Sequence, residues 1–124
     1  MTEKNSKGIR RIINVAGFSM AGLISAVKNE AAFRQELALF TILIPVSFWI
    51  GRSALEEAML IGSCLIVMIT ELLNSAVEAA IDRISNEHHL LSKQAKDMGS
   101  AAVLLSFLLV GIVWGLIIFD RFMI

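Results

Sequence analysis

The sequence predicts an all-α integral membrane protein, folded as one domain over residues 1–124. Hydrophobic residues make up 56% of the chain and charged residues only 18%, whereas soluble domains are about a quarter charged. The apolar residues form long blocks, which is typical of helices that cross a membrane. Lys and Arg together (11) balance Asp and Glu (11), so no basic surface for nucleic acid is expected.

Residues 8–28 are expected to form an amphipathic helix on the membrane surface. Apolar side chains recur there every three or four residues, while basic side chains such as Arg10 and Arg11 lie elsewhere on the helical wheel. A basic helix with one apolar stripe is suited to the headgroup plane of a bilayer.

Three apolar segments, residues 32–51, 57–81 and 99–119, are predicted to cross the membrane, because one crossing needs about 20 residues. A short loop is expected between the first two segments, and a polar loop from Asp82 to Asp97 before the third. Trp49 and Trp114 fall towards the outer ends of their segments, where interfacial aromatic side chains are common.

Most Lys and Arg residues lie before the first segment and in the polar loop. The positive-inside rule therefore predicts that the N-terminus and this loop are cytoplasmic. Three short membrane helices enclose little interior, so the protein is expected to be a homo-oligomer.

The second segment carries ionisable residues at membrane depth, which cost several kcal/mol and point to function. Counting about 20 residues inward from the outer charges Arg52, Glu57 and Asp120 estimates the cytoplasmic boundary on three helices. The count brings these charged residues close to one level: Glu30, Glu71, Glu78, Lys96 and Asp97.

Carboxylates gathered at one level repel each other unless they share a proton or a cation. Glu30 and Glu78, at the water boundary, suit Mg²⁺, which is usually held by one or two carboxylates together with phosphate oxygens. Glu71 is deeper and suits a general base for a lipid hydroxyl, and Lys96 and Arg11 suit phosphate binding. The alternative is that these side chains only connect helices and extend to the interface.

Three segments carry a resemblance to a known family. They are Asn29–Glu36 (NEAAFRQE), Glu71–Arg83 (ELLNSAVEAAIDR) and Ala95–Val103 (AKDMGSAAV). Together they closely resemble the prokaryotic diacylglycerol kinases, small enzymes of the bacterial inner membrane, over nearly the whole chain.

The resemblance implies a homotrimer with active sites shared between protomers, which transfers the γ-phosphate of MgATP to diacylglycerol. It makes Glu71 the general base and Glu30 and Glu78 the ligands of Mg²⁺. It places these residues around ATP: Arg11, Phe18, Glu30, Glu78, Glu87, His88, His89, Lys96 and Asp97. It places these residues along the lipid: Arg11, Ser19, Ala32, Phe33, Arg34, Gln35, Glu36, Trp49, Glu71, Ser100 and Trp114. Asn29, Asn74 and Asp82 would support the site. From the residues alone, His88 and His89 are most simply solvated loop residues.

Other functions are compatible with parts of this pattern. Gram-positive relatives in the same family phosphorylate undecaprenol, and the argument from the residues requires only a hydroxyl at the interface. A small proton-coupled exporter would also use an intramembrane carboxylate, but such a protein usually has an even number of helices and needs no Lys96 beside it. A purely structural membrane subunit would leave Glu71 without a chemical purpose.

Overall fold

The computed structural model describes residues 2–84 and 89–123, with side chains from residue 7 onward. This part of the chain consists of four α-helices, which confirms the predicted all-α class. The helices are α1 (Thr2–Asn29), α2 (Ala31–Ile50), α3 (Ala54–Ile84) and α4 (Leu90–Met123).

Helices α3 and α4 are longer than the predicted membrane segments, with 31 and 34 residues. They continue into the stretch predicted to be a polar loop from Asp82 to Asp97, and that prediction is wrong for most of its length. The stretch contains neither Gly nor Pro, and its Lys, Gln and Ala residues favour helix. Polarity there argues against burial in lipid, but it does not end a helix.

All four helices are long and apolar enough to cross a membrane. The lowest mean hydropathy belongs to the Lys7–Asn29 part of α1, at 1.2, against 2.8 for α4. The described side chains of α1 are exposed along nearly its whole length, and only Ala26 is buried. The placement of α1 on the membrane surface therefore stays a prediction.

The core lies where α3 packs between α2 and α4. Leu60, Cys64 and Val67 of α3, spaced four and three residues apart, are fully buried on one helix face. Phe40 from α2 and Trp114 from α4 complete the centre of this cluster. A single helix stripe thus holds three helices together.

Trp114 lies inside this core rather than at an exposed interface. Only 7% of it is exposed, and its Nε1–H donates to the Leu60 carbonyl at 3.1 Å. A buried indole requires such a partner for its N–H. The Ser63 hydroxyl donates to the same carbonyl at 2.9 Å.

Replacing Trp114 by Phe is expected to lower the free energy of unfolding by about 1 kcal/mol, because an interhelical hydrogen bond in a membrane protein contributes about 0.6 kcal/mol on average and some buried packing is lost with it. The measurement is reversible unfolding of the purified protein in mixed micelles with increasing denaturing detergent. Trp49→Phe is the matched control, since Trp49 is 67% exposed. An equal effect of the two changes would contradict the assignment of Trp114 to the core.

The break between α1 and α2 falls at Glu30, whose backbone is extended (φ −116°, ψ 105°). The Arg34 Nη1 donates to the carbonyls of Val27 and Lys28 at 2.9 and 3.1 Å. These carbonyls belong to the last turn of α1, where intrahelical partners are missing. Arg34 therefore attaches the end of α1 to the beginning of α2 and leaves Glu30 between the two helices.

Polar contacts join the helices at the other end of the bundle. Arg52, between α2 and α3, pairs with Asp120 of α4. The Ser47 hydroxyl of α2 donates to Glu57 of α3 at 3.0 Å. Three helices are thereby connected at the end opposite Glu30.

Candidate functional site

Two carboxyl groups, Glu36 on α2 and Glu71 on α3, lie side by side between the helices. They are only 7% and 6% exposed, and they are within hydrogen-bonding reach of each other. The Glu36 Oε2 is buried without a hydrogen-bond partner in the described part of the chain. Two buried carboxyl groups at this distance are compatible only if they share a proton or a cation.

Glu30 and Glu78 complete this acidic cluster, since both are close enough for their charges to act on Glu71. Glu30 comes from the break before α2, and Glu78 lies two turns after Glu71 on α3. Both are half-buried. The structure therefore brings together three of the four carboxylates that the depth count placed at one level, and adds Glu36 from the span of α2.

A supporting amide lies between Glu71 and Glu78 on α3. The Asn74 Nδ2 donates to the Glu78 Oε1 at 3.4 Å. Because the two residues are four apart on a helix, they share a face. The predicted supporting residue Asn74 thus contacts one of the predicted metal ligands.

Within residues 2–84 and 89–123, no group of three or more His, Cys, Asp or Glu side chains is arranged around a metal position. The chain offers the carboxylates of Glu30 and Glu78. Mg²⁺ bound with a nucleotide needs only one or two carboxylates, because phosphate oxygens and water complete its shell. This donor set fits such an ion, and it does not fit a metal held by protein alone.

Charged side chains lie on the polar ends of α3 and α4. The Lys96 Nζ donates to the Asp82 Oδ1 at 2.7 Å, which joins the two helices, and the Lys93 Nζ donates to the Asp97 Oδ2 at 2.6 Å. All four side chains are at least 43% exposed. Exposed ion pairs of this kind contribute little, so Lys96 can exchange its partner for a phosphate at small cost.

A cavity of about 580 Å³ separates the second half of α1 from α3, beside Glu30. Its volume lies within the ordinary range for small-molecule sites. Of the predicted site residues, Ser19 and Glu30 line it. The other lining residues are small or apolar: Gly22, Leu23, Ser25, Ala26, Leu72, Ser75, Ala76 and Ala79.

Other predicted site residues lie apart from the acidic cluster in this single chain. Trp114 packs at Leu60, which precedes Glu71 by about three turns of α3. Trp49 lies near the far end of α2, with its ring 5.5 Å from that of Phe122.

Most of the remaining predicted site residues are exposed, on α1, at the start of α2 and on α4, whereas Phe33 is buried. The exposed residues are Arg11, Phe18, Asn29, Ala32, Gln35 and Ser100.

The predicted nucleotide residues between α3 and α4 are only partly described. Glu87 and His88 lie outside the described residues. The His89 Nδ1 accepts from the Leu91 backbone N–H at 3.1 Å, so this side chain caps the first turn of α4.

Glu36 is a site residue that the sequence could have indicated without the family resemblance. Glu71 stood out because it is an ionisable residue inside an apolar segment. Glu36 meets the same condition within residues 32–51, but it was included only through the family resemblance. Applied evenly, that criterion selects both members of the buried carboxyl pair.

Comparison with known proteins adds a family match. A family profile described as "Prokaryotic diacylglycerol kinase" matches residues 17–118. A protein named "Diacylglycerol kinase" from Haemophilus influenzae is 52% identical over 112 residues, covering 90% of this chain and 95% of that protein. Proteins of the same name from Pseudomonas aeruginosa and Escherichia coli K12 are 48% and 46% identical, covering 93% and 95% of this chain and 94% and 97% of theirs.

Proposed function

Since this chain belongs to the prokaryotic diacylglycerol kinase family and is a diacylglycerol kinase, we propose that it transfers the γ-phosphate of ATP to the free hydroxyl of diacylglycerol. A bond forms between the hydroxyl oxygen and the γ-phosphorus, the bond from that phosphorus to ADP breaks, and phosphatidic acid is released. The observation that carries the proposal is the buried Glu71 carboxyl, which lies among Glu36, Glu30 and Glu78.

Glu71 is the general base in this proposal, and it takes the proton of the acceptor hydroxyl as the new bond forms. A base at membrane depth can reach a hydroxyl close to the acyl chains, and exclusion of water there limits hydrolysis of ATP. Glu36 is the neighbour that holds the Glu71 carboxyl in place.

Glu30 and Glu78 would hold Mg²⁺ together with the phosphates of ATP. When bound, the ion neutralises phosphate charge and aligns the γ-phosphate. The count of residues from the outer charges puts these two half-buried carboxylates on the water side of Glu71, so the nucleotide would approach from the aqueous phase and the lipid from the bilayer.

The phosphates of ATP would be neutralised further by Lys96 and Arg11. Phe18, Glu87, His88, His89 and Asp97 are proposed to surround the nucleotide, as the family resemblance implies. The exposure of Lys96 and its weak pairing with Asp82 support its part in this arrangement.

Replacing Lys96 by Met should raise the KM for ATP about tenfold, because a charged hydrogen bond to phosphate is lost. Arg83→Met is the control. It also removes one positive charge, from an exposed side chain at the polar end of the neighbouring helix α3. Steady-state kinetics with ATP and lipid varied separately measure the KM for ATP and the KM for the lipid. A change confined to the KM for the lipid would show that Lys96 acts on the other substrate.

The cavity between α1 and α3 is the proposed lipid site. Its lining is mostly apolar, and it opens beside Glu30, so an acyl chain there would bring the glycerol hydroxyl towards the acidic cluster. Ser19, Ala32, Phe33, Arg34, Gln35, Glu36, Ser100, Trp49 and Trp114 are proposed to line or support the lipid.

We further propose that the enzyme is a homotrimer of the bacterial inner membrane with its N-terminus in the cytoplasm. The distribution of Lys and Arg supports the orientation. The small interior that three membrane helices enclose supports a site that is completed by a neighbouring protomer.

One assay tests the proposed activity: transfer of label from the γ-phosphate of ATP to diacylglycerol or undecaprenol in mixed micelles. We expect Mg²⁺-dependent labelling of diacylglycerol. Labelling of undecaprenol alone would identify the other lipid of the family as the acceptor. Labelling of neither lipid by an assembled protein would overturn the proposal.

A further inference from the structure

Helix α4 comes unusually close to α3 at Gly99. A Cβ atom added to Gly99 would overlap the Asn74 Oδ1, and it would lie 3.2 Å from the Asn74 Cγ. A Cβ added at Gly62, Gly111 or Gly115 meets no described atom within 4 Å. The close approach at Gly99 is therefore not repeated at the other glycines of α3 and α4.

The amide that faces Gly99 is the one that contacts Glu78. The Asn74 Nδ2 donates to the Glu78 Oε1 at 3.4 Å, and the Asn74 Oδ1 is buried without a hydrogen-bond partner in the described part of the chain. An Asn side chain has only two rotatable bonds, so the backbone at Gly99 limits which orientations the amide can adopt.

We propose that Gly99 is a positioning residue: its missing side chain leaves the space in which the Asn74 amide contacts Glu78. The inference rests on the proposed function, in which Glu78 holds Mg²⁺. Groups that orient a metal ligand affect metal affinity although they do not touch the ion. Gly99 touches neither the ion nor Glu78, and it acts by fixing the orientation of the Asn74 amide.

A methyl group at position 99 would act on function more than on folding. The atom it meets is the end of a short side chain, which can rotate away without moving either helix. Rotation takes the amide from Glu78, and that carboxylate then loses the donor that orients it. The expected change is a weaker Mg²⁺ site in a protein that still folds and assembles.

The test is a Mg²⁺ titration of Gly99→Ala, followed by kinase activity and, separately, by equilibrium binding of ATP to the protein. We expect the half-saturating Mg²⁺ concentration to rise about tenfold, with an unchanged KM for diacylglycerol and an unchanged unfolding midpoint. Gly115→Ala is the matched control, because it adds the same methyl group to the same helix where no described atom lies within 4 Å. An equal Mg²⁺ requirement in the two variants overturns the proposal.

Variants at Asn74 keep the test valid if Gly99→Ala does not assemble. Asn74→Ala should itself raise the Mg²⁺ requirement, and adding Gly99→Ala to it should cause no further rise, because the methyl group then enters free space. Full additivity of the two changes, or a normal Mg²⁺ requirement in Asn74→Ala, overturns the proposal. Mg²⁺-dependent phosphorylation of diacylglycerol is first measured in the parental protein. Failure of the proposed function is thereby distinguished from failure of the proposal for Gly99.

Discussion

Glu71→Gln is expected to lower turnover by about 10²–10⁴-fold, the usual contribution of a positioned general base. Gln keeps the shape of the side chain, but it cannot accept the proton of the lipid hydroxyl. Folding should survive, because a buried amide carries a smaller desolvation penalty than a buried carboxylate. Binding of MgATP should persist too, since Glu30 and Glu78 are unchanged.

Glu57→Gln is the matched control for this experiment. Glu57 is a half-buried carboxylate on the same helix, it accepts a hydrogen bond from Ser47, and it lies at the other end of the bundle. Turnover is measured on assembled protein, with nucleotide binding followed separately. Glu71 would be a structural residue if Glu71→Gln binds MgATP and phosphorylates diacylglycerol at the rate of the Glu57→Gln protein.

Glu78→Gln is expected to raise the half-saturating Mg²⁺ concentration by at least about 100-fold. Loss of a residue that only orients a ligand costs about 10–100-fold in metal affinity or activity, and loss of a ligand itself should reach the upper end of that range or exceed it. The KM for diacylglycerol should stay near the parental value, because the lost charge faces the ion and not the acceptor. Activity as a function of Mg²⁺ at saturating lipid measures the effect.

Glu56→Gln provides the comparison for Glu78. This residue is also half-buried on α3, but it pairs with Arg52 at the far end of the helix. A normal Mg²⁺ titration of Glu78→Gln, matching that of Glu56→Gln, would show that Glu78 is not a metal ligand. The prediction for Gly99→Ala would then lose its basis, whereas the identity of the general base would be unaffected.

The helices and the grouping of the acidic residues could be predicted from sequence, because both follow from regular spacing along the chain. Apolar blocks indicated α2, α3 and α4. A count of residues from the outer charges placed Glu30, Glu71 and Glu78 at one level, and the structure brings these three together. The helical form of residues 82–84 and 90–97 was not predicted, because a polar composition indicates exposure to water and does not by itself end a helix.

Contacts that depend on how one helix is rotated against another could not be predicted. The pairing of Glu36 with Glu71 requires the relative rotation of α2 and α3, and a residue count supplies only depth. The approach of Gly99 to Asn74 depends on the separation of α3 and α4. The burial of Trp114 depends on which side of α4 faces the core, whereas the preference of Trp for interfaces is a statistical rule.

The opposite exposures of the two tryptophans also have a spectroscopic consequence. The chain contains two Trp and no Tyr, so its ultraviolet fluorescence comes almost entirely from Trp49, which is exposed, and Trp114, which is buried against Leu60. In Trp49→Phe the remaining emission reports on the packing of α3 against α4 alone. A water-soluble quencher should not reach Trp114 in the folded protein, and this protection should disappear as the helices separate. Quenching would therefore report the separation of α3 and α4 without any attached label.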